Sequence, residues 1–305
     1  MEEHAWNNYE NSDLKDRGAD DEKSDKILEI DIWKPRQNPS GSNRTSQNSQ
    51  YFSAWNDSGK MEQLPEDCIS QIVSFTSPVD AAVYSVISKG FKASSESDVV
   101  WIKFLPSNIE DYISRSSSFI PVFPTKKALF LFLSNSPILL DGGKMSFSLD
   151  KKIGKKYFMV APRVLTFTGV NDPIHFITVH EEISRFAEIG VLHLSENRRD
   201  ICGRISCRML SEEIQYTSYL VYKPVLFDSH FLLGTNVPRN RPDGWLEVEI
   251  ESFFNVERNP NNLGEVESIL FAMGDFSMYS NIIVQGIEFR PKPTEKEEEE
   301  EEEEE

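Results

Sequence analysis

Cysteine and histidine are scarce in this 305-residue chain, which contains three cysteines and five histidines. Three cysteines cannot build a disulfide framework, and the spacing of Cys202 and Cys207 lacks the second ligand pair that a zinc site needs. His175, His180 and His193 do not form a cluster with metal-ligand spacing. We therefore predict reduced thiols, no metal and no cofactor.

Long apolar runs are absent as well. The longest run, Ala128–Leu133, is far shorter than the roughly 18 residues that are needed to span a bilayer. The first thirty residues are acidic and polar, and they lack the basic start and the apolar stretch of a secretory signal. The sequence therefore predicts a protein of the cytoplasm and nucleus that does not bind membranes.

Basic residues are outnumbered, with 32 Lys and Arg against 50 Asp and Glu and a formal net charge of -18. Binding to nucleic acid requires Lys and Arg that are clustered on one face to neutralise phosphates. Nucleic acid is therefore excluded as a partner. The run Glu297–Glu305 supplies nine of the negative charges, so the rest of the chain is only moderately acidic.

Catalytic motifs are also missing, because the sequence contains no phosphate-binding loop, nucleophile elbow or metalloenzyme motif. The neighbouring residues Glu181 and Glu182 would point to opposite faces of a strand, so they do not form an acid-base pair. The sequence therefore predicts no enzymatic activity and no catalytic residue.

The two ends of the chain differ in composition from its middle. Residues 1–60 are dense in Asn, Ser, Asp, Gln and Gly, a mixture that buries too little apolar area to fold, and we predict a disordered arm. Within this arm, Ile27–Trp33 alternates apolar and acidic residues. This segment is either an added strand or docking motif, or an incidental apolar patch. Residues 293–305 are predicted to form an acidic, solvated tail.

Helical patterns begin at Leu64. Pro65 suits the first turn of a helix, and apolar residues then recur at spacings of three and four from Ile69 onwards. A second helix is predicted with Asp80 as its cap and Gly90 in its interior, and a third, shorter helix follows.

Two boundaries follow from these patterns. The three helices form a small module at 61–106, and a helical linker that contains a helix near Lys126–Ser134 occupies 107–136. A module of this size is too small to be robust in isolation, so we expect it to pack against another part of the chain or a partner.

The helical module carries a set of motif residues: Leu64-Pro65-Glu66-Asp67, Ile69, Ile72, Asp80, Val86, Phe91 and Trp101. Together they resemble an F-box, the unit that docks on the Skp adaptor subunit of a cullin-type (SCF) ubiquitin ligase. The resemblance implies that the adaptor is contacted by Leu64, Pro65, Ile69, Ile72, Val79, Val83 and Val86. The alternative is that these side chains form only an internal helical core, because periodicity does not separate the two cases.

From about residue 137 the pattern changes to short β-strands. Such runs occur at Met145–Leu149, Val164–Phe167, Tyr216–Val221, Trp245–Ile250 and Ile282–Phe289. Many short strands with few helices favour an antiparallel β-sandwich, so the predicted fold class is α+β with more than one domain. The strict alternation at Trp245–Ile250 predicts a strand with one buried and one solvent-exposed face, and Trp245 is predicted to lie in the core.

A second set of motifs extends over 137–292. It comprises Ser136-Pro137-Ile138-Leu139, Asp141-Gly142-Gly143-Lys144, Leu149-Asp150-Lys151, Gly154-Lys155-Lys156, Ser184-Arg185-Phe186, Tyr219–Lys223, Asp243-Gly244-Trp245 and Gly286–Lys292. These motifs resemble the phloem protein 2 domain, which is related to the Nictaba-type lectins, and an F-box joined to it resembles the plant F-box proteins of the phloem-protein-2-like B group. The resemblance implies a jelly-roll-like β-sandwich that binds oligosaccharides.

The lectin family supplies Trp residues that stack on sugar rings. In this chain the corresponding positions are Gly169, Phe176 and Thr178, and His175 replaces a Tyr. A single Phe retains little of the stacking area. The resemblance makes His175 and Phe176 candidate glycan or target contacts, and the missing Trp residues predict weak or absent sugar binding.

Three hypotheses of function follow. In the first, the chain is the substrate-recognition subunit of an SCF ubiquitin ligase: the F-box binds the Skp adaptor and through it a cullin, and the sandwich recognises a protein, glycoprotein or oligosaccharide. In the alternative, the chain is a nucleocytoplasmic lectin that acts outside the ligase. An enzyme on a sandwich scaffold ranks third, because it needs a pocket with convergent titratable groups.

Overall fold

The computed structural model describes residues 64–168, 174–179, 184–194, 197–225, 231–256, 264–274 and 281–292. The predicted arm, the segment Ile27–Trp33 and the acidic tail lie outside the described residues, as do Gly169, His180, Glu181 and Glu182. In the described residues, no helix is long and apolar enough to cross a membrane. The same residues contain no group of three His, Cys, Asp or Glu that could hold a metal ion.

Four short helices open the described region: α1 (Glu66–Val73), α2 (Pro78–Tyr84), α3 (Lys89–Glu96) and α4 (Asp98–Phe104). The predicted second helix is in fact two, because the Ser88 hydroxyl accepts a hydrogen bond from the Phe91 amide and starts a new helix there. Gly90 therefore lies in a first turn, not in a helix interior. The cap of α2 is Ser77, and Asp80 completes its capping box instead of being the cap itself.

Two further helices connect this module to the strands: α5 (Ile109–Ser114) and α6 (Lys126–Asn135). Helix α6 confirms the helix predicted near Lys126–Ser134. Its Phe130 packs against Trp101 of α4, with the ring centroids 5.3 Å apart, and Lys127 lies over the same indole. The linker is therefore part of the packed helical layer.

The strands are β1 (Ile138–Leu140), β2 (Met145–Leu149), β3 (Lys156–Val160), β4 (Thr166–Thr168), β5 (His175–Thr178), β6 (Glu188–His193), β7 (Arg199–Ser206), β8 (Ile214–Pro224), β9 (Phe231–Leu233), β10 (Arg239–Asn240), β11 (Leu246–Asn255), β12 (Glu265–Gly274) and β13 (Asn281–Pro291). A single 3-10 turn at Pro162–Val164 delays the strand that was predicted to start at Val164. Proline at the start of this turn lacks the amide proton that a strand ladder would need.

All strand pairs of the described region are antiparallel and form two sheets. The larger sheet has the order β1-β2-β3-β13-β8-β11-β10, with β6 also paired to β13 and β5 to β6, and the smaller has the order β4-β7-β12-β9. One side of β13 is shared, because Asn281–Val284 pairs with β6 and Ile287–Phe289 pairs with β3. Gly286 lies at this division, where a β-carbon would be 2.4 Å from the Val160 carbonyl oxygen.

The main core lies between the two sheets. The larger sheet contributes Leu220, Val248 and Ile287, and the smaller sheet contributes Ile201 and Leu270, all of them buried. This arrangement confirms the predicted α+β fold class with an antiparallel β-sandwich.

The helical layer shares this core. Tyr112 of α5 stacks on Phe147 of β2 with ring centroids 4.5 Å apart, and its hydroxyl donates to the Met209 carbonyl at 3.3 Å. The same cluster of buried side chains includes Ile69 and Trp101 of the first helices. The helices and the sandwich therefore form one continuous apolar core, which explains how so small a helical module is stabilised.

The other face of the larger sheet carries a second, smaller core of Met159, Ala161, Phe186, Ile189, Val221 and Trp245. Trp245 is 3% exposed, which confirms its predicted core position. The prediction of a solvent-exposed acidic face for Trp245–Ile250 is wrong, because Glu247 is buried while Leu246 is partly exposed.

Candidate functional site

Apolar side chains are exposed on α1, on α2 and on the residues that flank these two helices. We call this surface the helical patch; it consists of Leu64, Pro65, Ile72, Phe75, Val79, Val83, Val86 and Ile87. Phe75 is 83% exposed and Val86 82%. Large apolar side chains that are exposed in this number on two neighbouring segments of a chain are typical of an interaction surface. Sequence reasoning missed Phe75, because this residue follows α1 and lies outside its stripe.

The structure places six of the seven predicted adaptor contacts in the helical patch, and the exception is Ile69. The Ile69 side chain is 5% exposed, because it faces α3 together with the buried Val73. It forms the base of a shallow groove of about 350 Å³ that is also lined by Leu64 and Phe91. Ile69 is therefore a core residue, whereas the contact role of the other six stays a prediction.

The candidate residues His175 and Phe176 lie on β5, where all four side chains are exposed. The Arg163 guanidinium lies over the Phe176 ring, 4.7 Å from its centroid, and it is held there by hydrogen bonds to Glu188. Phe176 is thus neither a core residue nor an open stacking platform, since a cation occupies one of its faces.

A group of charged side chains lies on the outer face of the larger sheet, next to the smaller core. We call it the outer-face cluster: Arg185, Arg241, Glu247, Glu288 and Arg290. The Glu288 carboxylate is fully buried and accepts from Arg185 at 3.1 Å and from Arg241 and Arg290 at 2.7 Å. Burial alone would raise the pKa of Glu288, but the three guanidinium groups lower it to about 2.

The outer-face cluster joins three of the sequence motifs. Arg185 comes from the Ser184–Phe186 motif, and Glu288 and Arg290 come from Gly286–Lys292. Arg241 donates to both Glu247 and Glu288, and it also pairs with Asp243 of the third motif. Sequence reasoning missed Arg241 and Glu247, because no local spacing links residues that only strand pairing brings together.

A groove of about 310 Å³ borders the outer-face cluster. It is lined by Tyr219, Asn236, Val237, Arg239, Glu247 and Glu249. Arg290 of the cluster lies over the Tyr219 ring, 4.2 Å from its centroid, and Asn236 donates to the Glu249 carbonyl at 2.9 Å. An aromatic ring among polar groups of both signs is suited to a polar ligand with some apolar surface.

Comparison with known proteins identifies both parts of the chain. The family model for the F-box domain matches residues 61–103, and the model for phloem protein 2 matches residues 155–291. F-box protein At2g02240 from Arabidopsis thaliana is 35% identical over 266 residues, which cover 76% of this chain and 80% of that protein. This chain belongs to the F-box proteins with a phloem protein 2 domain.

Two further relatives support this family assignment. F-box protein PP2-B10 from Arabidopsis thaliana is 33% identical over 270 residues, covering 77% of this chain and 95% of the relative. F-box protein PP2-B5 from the same plant is 36% identical over 256 residues, covering 77% and 88%. The F-box match includes α1 to α3, all but the last residue of α4 and the whole helical patch, and the phloem protein 2 match includes the whole outer-face cluster.

Solved structures resemble the sandwich only distantly. A TmCBM61 structure in complex with β-1,4-galactotriose has a TM-score of 0.24 and 8% identity, and it covers 42% of this chain and 88% of its own. A low-affinity xylan-binding module, CBM86 from Roseburia intestinalis, has a TM-score of 0.22 and 11% identity, covering 45% and 96%. At this level of similarity, the ligands of those structures do not indicate a ligand for this F-box protein.

Proposed function

We propose that this F-box protein is the substrate-recognition subunit of a cullin-type (SCF) ubiquitin ligase. Its F-box docks on a Skp-type adaptor and through it on a cullin. Its phloem protein 2 domain recognises a target protein or glycoprotein. The same proposal places the protein in the cytoplasm and nucleus, without nucleic acid or membrane as a partner.

The observation that carries this proposal is the helical patch. Phe75 and Val86 expose most of their area to water, although burial of one large apolar side chain contributes about 1.5–3 kcal/mol. Within the described residues the fold does not cover this surface. A partner with a complementary apolar face would therefore gain binding energy there.

The mechanism is proximity and not chemistry at a protein side chain. An adaptor that binds the helical patch and a target that binds the sandwich are held on one chain. This raises the effective concentration of the target near the ubiquitin-transfer machinery. For this role we assign no catalytic residue and no cofactor.

The recognition surface on the sandwich is the groove beside the outer-face cluster. Tyr219 and Val237 line this groove, with Arg290 over one face of the Tyr219 ring, and Asn236, Arg239 and Glu249 offer polar groups. His175 and Phe176 on β5 remain a second candidate contact. Since this groove also suits a sugar, a lectin that acts outside the ligase is the second candidate function.

Co-purification of the full chain with a Skp-type adaptor tests the first proposal. We expect a stoichiometric complex on size exclusion, and at least about 100-fold weaker binding for Leu64→Ala/Pro65→Ala and for Val83→Asp/Val86→Asp, because each pair removes two apolar contacts. Phe119→Asp is the matched control, since Phe119 is 88% exposed but lies outside the helical patch. A complex that survives both double replacements would contradict the assigned contact surface.

Calorimetry with chitin oligomers separates the two functions. We expect weak or no binding, because this chain lacks the Trp residues that the lectin family has at the corresponding positions, and because Arg163 covers one face of Phe176. Tight sugar binding without any adaptor complex would favour the lectin.

A further inference from the structure

The turn between β2 and β3, residues 150–155, has a fixed shape. The Asp150 carboxylate accepts from the amides of Lys152 at 2.8 Å and Ile153 at 2.9 Å. The Gly154 amide donates to the Asp150 carbonyl at 2.9 Å, and the Asp150 amide donates to the Lys155 carbonyl at 2.8 Å. These bonds hold the turn in one conformation, and its one carboxylate is engaged by amides of the same turn.

This turn belongs to the sandwich but packs against the F-box. Gly154 has a φ of +67°, and a β-carbon there would be 3.3 Å from the Phe104 carbonyl oxygen and 3.3 Å from Cγ of Pro78. Pro78 is the first residue of α2, and the next residue, Val79, is in the helical patch. The β2–β3 turn therefore lies against the first residue of α2, which directly precedes Val79 of the helical patch.

The region around this contact is rich in lysine, although the chain as a whole is acidic. Lys151 and Lys152 on the turn are exposed, Lys155 is half-buried, and the exposed Lys103 precedes Phe104 at the end of α4. Among the described residues, no carboxylate pairs with Lys103, Lys151 or Lys155. Interfaces commonly have an apolar centre and a polar, solvent-accessible rim, and these lysines are polar residues close to an apolar surface.

We propose that the docking interface extends beyond the F-box onto the sandwich, and that the β2–β3 turn contacts an acidic segment of the same adaptor that covers the helical patch. This inference rests on the proposed adaptor docking. The occupant is acidic because Lys103, Lys151 and Lys155 carry positive charge that pairs with no carboxylate of the described residues. Rim charges of this kind act mainly on the association rate, and their effect is screened by salt.

Binding kinetics of the full chain and a purified Skp-type adaptor, measured at several salt concentrations, test the inference. We expect Lys151→Glu/Lys155→Glu to lower the association rate about five- to tenfold at low salt. The difference should vanish near 1 M salt, where the Debye length is about 3 Å. Val83→Ala should instead raise the dissociation rate and leave the salt dependence unchanged, because it removes only an apolar contact.

Lys144→Glu/Arg204→Glu is the matched control, because it reverses two charges at positions away from the turn and from both proposed binding surfaces. Lys144 lies at the opposite end of β2, and Arg204 is an exposed residue of β7. An unchanged association rate and salt dependence for Lys151→Glu/Lys155→Glu, with normal binding of the unmodified chain, would overturn the inference and leave the proposed function intact. Failure of the unmodified chain to bind would instead overturn the proposed function. If the charge reversal lowers the melting temperature, Lys151→Gln/Lys155→Gln replaces it, with about half the effect on the rate expected.

Discussion

Glu288 is the residue on which the outer-face cluster depends. Its carboxylate has no exposed area, and it lies among the guanidinium groups of Arg185, Arg241 and Arg290. Transfer of a carboxylate from water to such a site costs several kcal/mol, which only close opposite charges and hydrogen bonds offset. Arg241 and Arg290 also reach Glu247, so that the three arginines are held by two buried carboxylates.

We predict that Glu288→Gln lowers the free energy of unfolding by about 3–5 kcal/mol, because it leaves three buried or half-buried guanidinium groups without their shared partner. Urea denaturation of the full chain measures the loss. Glu251→Gln is the control, since Glu251 is exposed on β11 and its replacement should change stability by less than about 0.5 kcal/mol.

The same replacement should change how stability depends on pH. The pKa of Glu288 is about 2 in the folded chain, against an ordinary value of 4.5. Between these values the unfolded chain takes up a proton that the folded chain does not bind. The stability from Glu288 is therefore fully present above about pH 4.5 and is lost as the pH falls towards 2. The urea midpoint should fall less steeply for Glu288→Gln in this window, and equal slopes would contradict the ion network.

At the scale of elements, α2 depends on its capping box. The Ser77 hydroxyl accepts from the Asp80 amide at 3.1 Å, and the Asp80 carboxylate accepts from the Ser77 amide at 3.1 Å. A helix of seven residues gains little from its own hydrogen bonds, so its cap and its packing decide whether it forms. Val79 and Val83 of the helical patch depend on this helix for their positions.

Ser77→Ala should therefore reduce the free energy of unfolding by about 1 kcal/mol and weaken adaptor binding severalfold, because the start of α2 frays. Ser77→Thr keeps the capping oxygen and should cost only a few tenths of a kcal/mol. Chemical denaturation and adaptor titration of the two variants provide the comparison. Equal adaptor affinity for Ala and Thr would show that the cap does not position the helical patch.

In two elements the local sequence pattern does not predict the observed structure. The stripe from Val83 to Phe91 continues at helical spacing through the break at Ser88, because apolar periodicity does not register a side chain that caps a new helix. The alternation at Trp245–Ile250 predicts a strand with one solvent-exposed face, but the acidic side of this strand meets arginines from β13 and the β10–β11 turn. Buried ion pairs have the same sequence pattern as solvated charges.

At the scale of the whole molecule, the F-box and the sandwich share one core. Tyr112 and Phe147 stack across the junction, and Gly154 lies against Pro78 and Phe104. A shared core of this kind predicts that the two parts unfold together. Under the proposed function, a shared core would also hold a target in a fixed direction relative to the adaptor.

Tyr112→Ala tests this coupling. We expect a loss of about 3–5 kcal/mol, as for other large aromatic side chains removed from a core. The urea midpoints of unfolding, followed by far-UV and by near-UV circular dichroism of the whole chain, should both move to lower urea concentration by the same amount. Phe254→Ala, which removes a 56% exposed aromatic side chain on β11, should leave both unchanged. Two separate transitions in the unmodified chain would show that the F-box and sandwich are independent.

The sequence by itself determined the fold class, the F-box and phloem protein 2 motifs, and most of the helices and strands, because spacing, capping and alternation are local properties that a chain carries without its fold. Only the tertiary structure decided which apolar residues of α1 face out, with Ile72 exposed and Ile69 buried against α3. It also decided that Arg185 meets Glu288, 103 residues away, and that the β2–β3 turn of the sandwich lies against Pro78 of α2. Burial and ion pairing depend on both partners, and a pattern within one segment describes only one of them.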